Sequence, residues 1–130
     1  MARSERGASL STFVVVLLPA LLLMIGLVID GGAQAAATRR AERIAAAAAR
    51  AAGDQTAAAR LAGQEPDRGA AVAAAQRVIA EGGVSGSVLI GPEHITVNTR
   101  TSAPTVLLSL IGVGELPAAG SAVAELVPDR

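Results

Sequence analysis

Phe13-Val-Val-Val-Leu-Leu-Pro-Ala-Leu-Leu-Leu-Met-Ile-Gly-Leu-Val-Ile29 is the apolar heart of a stretch, residues 7–29, that carries no charged side chain. At ~1.5 Å per residue, a helix of that length crosses the roughly 30 Å hydrocarbon layer of a bilayer. Three readings compete for it. A cleaved secretory signal has an apolar core of roughly 7–15 residues followed by small residues. Here the run is longer, and the small residues at 33–37 come only after Asp30-Gly-Gly32. A core helix of a soluble domain is the second reading. A retained transmembrane helix is the third, and it fits the length, with Phe13 at its start, Pro19 inside it and Ile29 at its end. A proline there removes one backbone donor and favours a kink, which membrane helices tolerate.

Flanking charge sets the orientation. Arg3 and Arg6 precede the run with Glu5, whereas Asp30 follows it directly and the next arginine is Arg39. The more basic near flank predicts a cytoplasmic N-terminus and an extracytoplasmic, cell-surface C-terminal part. Arg39, Arg40 and Arg43 still fall within the ~15–20 residues over which that rule counts.

Composition limits what can follow the anchor. The chain has 130 residues and an apolar fraction of 52%, much of it alanine, with one Phe and neither Trp nor Tyr. Only a small domain with a modest core is expected, marginal by itself. The formal net charge is zero, so nothing favours nucleic acid or an acidic substrate. All 11 basic residues are arginine. Without cysteine, neither disulfides nor thiolate metal sites are available.

Beyond the anchor, residues 31–52 are rich in alanine and arginine, both strong helix formers. One helix is predicted from about Ser11 to Ala52, stopping at Gly53. Arg39, Arg43 and Arg50 fall on one face of it, where they would meet solvent, lipid phosphates or an acidic partner. The alanine surface opposite suits close helix–helix approach and self-association. Residues 53–69 read as a polar linker, with a helical turn or two over 54–62. Residues 70–81 read as a second helix ended by Gly82-Gly83.

The period then changes to two. Residues 87–90 and 95–101 read as strands joined by the short loop Gly91-Pro-Glu-His94. Pro104 is expected to open a short helix ending at Gly112, and a last strand is expected over about 121–127. The fold class is therefore α+β. A long N-terminal helix, half transmembrane and half Ala-rich, leads into a second helix and a small antiparallel sheet with one short helix. The expected division is an anchor over 1–30, a helical stalk over 31–52, a linker over 53–69 and an extracytoplasmic head over 70–130.

The junction Arg6-Gly7-Ala8-Ser9-Leu10-Ser11-Thr12-Phe13 places a glycine behind a basic flank, then a few small or polar residues, then the apolar helix. This resembles the leader of type IV pilins and of the TadE/TadG-like pilus-assembly family. Gly26-Leu-Val-Ile-Asp-Gly-Gly32 followed by Arg39-Arg40-Ala41-Glu42 is similar to the same family. So are residues 95–101, 104–113 and 121–127, in the manner of its actinobacterial members. The resemblance implies cleavage by a prepilin peptidase after Gly7, a mature N-terminus at Ala8, and Phe13 as the aromatic of the leader. Thr12 stands where that pattern has glutamate, the residue that pairs with a neighbouring subunit's terminal amine.

Chemistry is sparse. His94 is the only histidine and lies in a predicted loop. With no cysteine and no clustered carboxylates, no metal-ligand set assembles. Gly112-Val-Gly114-Glu-Leu-Pro117 has proline where a dinucleotide loop needs its third glycine. No lysine exists for a phosphate loop. The expectation is a non-enzymatic protein without cofactors. The resemblance implies a minor pilin or pseudopilin-like component of Tad (Flp) pilus assembly or a related secretion system, with the membrane and other pilus-assembly or pilin-like subunits as partners. The alternative is a membrane-anchored extracytoplasmic binding module unrelated to pili.

Overall fold

A computed structural model describes residues 4–125, with side chains from Leu10 onward. Helix α1 runs from Ser4 to Leu61 and α2 from Arg68 to Glu81. Strands β1 (Ser85–Ile90), β2 (His94–Pro104) and β3 (Glu115–Glu125) form an antiparallel sheet of order β1-β2-β3. A 3₁₀ turn, Leu108–Ile111, lies in the β2–β3 connection. This is the expected α+β arrangement of a long helix, a second helix and a small sheet.

The apolar half of α1 is bare. From Leu10 to Ile29 every side chain is exposed except at Gly26. The head packs on the other half. Asp30, Ala41, Ala45, Ala48, Ala49, Ala52 and Thr56 are buried along one side of α1, recurring mostly at three- and four-residue steps. Against them lie Ala71, Ala75 and Ile79 of α2 and Ile95 and Val97 of β2. The alanines keep the two helices close. Ile79, Ile95 and Val97 supply the bulk, each contributing roughly 1.5–3 kcal/mol when fully buried.

Gly53 does not stop α1, which continues to Leu61. One interior glycine costs only about 1 kcal/mol, and burial of Ala52 and Thr56 on either side offsets it. The helix ends instead at Gly63, whose φ of 68° suits glycine. Helix α2 starts at Arg68, earlier than expected, because Asp67 accepts the Gly69 N–H at 2.8 Å and caps it.

The sheet alternates as period two requires. Ile95, Val97, Thr99 and Ala103 of β2 face α1, paired with Ala124, Ala122, Gly120 and Leu116 of β3. Strand β3 begins at Glu115 rather than near Ser121, and the expected residues 126 and 127 lie outside the described residues. Its Pro117 is tolerated because β3 is an edge strand. Pro104 ends β2, paired with Glu115, and opens no helix. The only helical geometry in the connection is the 3₁₀ turn, closed by Gly112 at φ 90°.

Candidate membrane anchor and assembly face

The described residues contain one helix long and apolar enough to cross a membrane, and it is α1. Phe13, Pro19 and Ile29 all lie on it with exposed side chains. Pro19 does not break it, since the helix is continuous through the run. Gly7 and Ala8 fall within the first turns of α1, but their side chains lie outside the described ones. Thr12 is exposed in the turn before Phe13.

At the end of the apolar run the head grips α1. Asp30 is 1% exposed, although it directly follows the apolar run. One of its carboxylate oxygens accepts the Val106 N–H at 2.7 Å. The other accepts the N–H groups of Leu107 at 3.1 Å and Leu108 at 2.8 Å. Three donors that the short 3₁₀ turn leaves open thus converge on one carboxylate, the geometry of a charged cap supplied from a distant helix. One turn toward the N-terminus, Leu107 lies over Gly26, so closely that a Cβ there would overlap its side chain. The β2–β3 tip is held shut by the Thr105 N–H donating to the Gly114 carbonyl at 3.0 Å, and by the Thr105 hydroxyl donating to the Val113 carbonyl.

Higher on α1, three contacts fix the sheet. Gln34 donates to the Pro117 carbonyl at 3.1 Å. Thr99 is buried and its hydroxyl donates to the Ala41 carbonyl at 2.8 Å. Gly120 lies against the backbone of Ala41 and Glu42, where no Cβ fits. The descent along α1, Ala41 to Gln34 to Asp30 to Gly26, matches the descent along the hairpin to its tip. The tip therefore points toward the apolar half of α1.

Asp30, Gly26, Thr99 and Gly120 were not among the residues singled out from sequence for a site. Only Gly26 and Asp30 carried a signal, as members of the Gly26–Gly32 segment that resembles the pilus-assembly family. Arg39, Arg43 and Arg50 are exposed, as a solvated face requires. Arg50 donates back to the Ala46 carbonyl at 3.3 Å, and the neighbouring Arg40 donates to the Gly82 carbonyl at 2.8 Å. Arg43 borders a shallow groove with Arg40, Ile44, Ala47, Val78 and Glu81. His94 is exposed at the opposite end of the hairpin, its carbonyl accepting the Gly91 N–H at 2.8 Å.

Comparison with known proteins singles out α1. Residues 7–60 match the family model described as Flp pilus-assembly TadE/G-like. The match ends one residue before α1 does, so the tail segments that resemble the family, 95–101 among them, lie outside it. No curated protein and no solved structure matches the chain. Over its long helix, from Gly7 to Arg60, the chain is similar to the TadE/G-like Flp pilus-assembly family, a likeness that covers less than half of its length.

Proposed function

We propose that the protein is a single-pass membrane component of Tad (Flp) pilus assembly or a related secretion system, acting as a minor pilin or pseudopilin-like subunit. The observation that carries this reading is the coincidence of the family match with an unbroken helix whose first half is apolar and bare. Its role is structural, not catalytic. The N-terminus is cytoplasmic. Residues 1–30 form the leader and anchor, and the remainder lies on the extracytoplasmic side, its actinobacterial character carried by the tail. Residues 31–61 extend the anchor and complete the core of the head, and the short segment 62–67 links them to α2 and the sheet.

The anchor helix is the surface for neighbouring subunits, as its apolar half is long and largely exposed among the described residues. The arginines serve partners better than lipid. With α1 upright, Arg43 and Arg50 stand about 20 and 30 Å past Asp30, whereas the headgroup layer is only about 5–8 Å deep on each side. An acidic surface on another subunit is the contact that suits them. Thr12, lacking the leader glutamate, supports an accessory place in the assembly over that of the repeating filament subunit.

The test is purification of the tagged full chain from membranes in mild detergent, followed by identification of what comes with it. Other pilus-assembly or pilin-like subunits are expected. Recovery with exported proteins unrelated to pili, and with no assembly subunit, would support an anchored binding module and contradict this reading.

A further inference from the structure

The β2–β3 tip carries a second apolar surface, distinct from the anchor helix. Residues 101–114 contain no charged side chain and are bounded by Arg100 and Glu115. Within them Val106, Leu110 and Ile111 are 64%, 80% and 73% exposed. Three large aliphatic side chains so bare on one ten-residue connection call for a covering surface.

The fold says which surface. Asp30 binds the tip through the N–H groups of Val106, Leu107 and Leu108. Leu107 packs on Gly26, which lies inside the apolar run. The tip is thus pinned beside the last turn of the anchor, at the level where that helix leaves the hydrocarbon. Leu27 and Val28, neighbours of Gly26 on α1, are themselves 65% and 74% exposed. Apolar helix and apolar tip therefore present side by side at one depth.

We propose that the β2–β3 tip dips into the same bilayer that holds α1, placing Leu110 and Ile111 among the acyl chains of the near leaflet. This rests on the reading of α1 as a membrane anchor, but not on any role in pili. The tip's backbone can enter the interface because most of its N–H groups are already engaged. Three N–H groups go to Asp30, the Thr105 N–H goes to Gly114, and the Leu110 N–H goes to the Leu107 carbonyl at 3.1 Å. Two points of attachment, helix and tip, fix the tilt of the head over the membrane where a helix alone would leave it free.

The chain has no cysteine, so single cysteines can be placed without background. L110C and I111C would carry nitroxide labels in the full chain, reconstituted into phosphatidylethanolamine–phosphatidylglycerol vesicles. L22C serves as the anchor reference and E93C as the aqueous one. All four positions are exposed, so the labels displace no packed atom. Collision rates with oxygen, which concentrates in lipid, and with a water-soluble nickel chelate would be read by power saturation. Oxygen is expected to dominate at 110 and 111 as at 22, with the ratio reversed at 93. Nickel dominating at 110 and 111 while oxygen dominates at 22 would leave the anchor standing and overturn the proposal. Low collision with both reagents at 110 and 111 would show another protein copy over the tip and overturn it equally. Nickel dominating at 22 would overturn the anchor and the tip together.

Discussion

Replacing Gly120 with alanine sets a methyl group where the backbone of Ala41 and Glu42 already stands. The new carbon would lie 2.6 Å from the Ala41 carbonyl oxygen and nearer still to the atoms beside it. Non-bonded heavy atoms settle at about 3.5–4.0 Å, so strand and helix must part by roughly 1 Å. Neither can rotate aside, because both neighbours are main chain. Parting them also stretches the 2.8 Å bond from Thr99 to the Ala41 carbonyl beyond hydrogen-bonding range. Overpacking strain of about 1–3 kcal/mol and a lost hydrogen bond of about 1 kcal/mol together amount to roughly 2–4 kcal/mol. For a head of this size that lowers the thermal midpoint by at least roughly 8 °C. The assay is thermal unfolding of the full chain in detergent micelles, followed by circular dichroism. Gly53→Ala is the control. It lies inside α1 with nothing within 4 Å of an added Cβ, so it should hold or raise the midpoint, by about 0.5–1 kcal/mol of helix propensity. A G120A midpoint within a degree or two of the parent would refute the seating of the sheet on α1 at Ala41.

Asp30→Asn keeps the shape but removes the charge and one acceptor oxygen. The amides of Val106, Leu107 and Leu108 should then exchange faster with deuterium while those of β2 are unchanged; equal rates at the tip would deny the clamp. Thr99→Val keeps the volume and removes the donor to Ala41, and should cost about 0.5–1.5 kcal/mol in the same thermal assay. No loss, or a gain, would mean that the bond carries no net stability. Intact-mass analysis of membrane-extracted protein should find an N-terminus at Ala8 if the leader is processed after Gly7. A start near Ala36 would remove the anchor and contradict the account.

The elements that read clearly from sequence are those with strong local signals. The apolar run defines the bare first half of α1, and alternation around Ile95, Val97 and Thr99 defines β2. Paired glycines end α2. The misplaced boundaries share a cause, which is that tertiary contact overrode a local breaker. Gly53 continues a helix because its neighbours are buried against the head. Pro117 and Gly120 look hostile to a strand, yet the first lies on an edge strand and the second is needed where the backbone crosses α1. Pro104 suggests a helix start, but register with Glu115 makes it a strand end. Asp30 was hidden for a different reason. After an apolar run it looks like an ordinary membrane boundary, and its partners are 76, 77 and 78 residues away. No local pattern joins them.

The most direct test of the pilus assignment is deletion of the gene, with surface pili counted by electron microscopy and the full-length chain restored from a plasmid. Loss or a marked drop in Flp-type pili, recovered on complementation, is the predicted result. Pili of normal number and length in the deletion strain would contradict it.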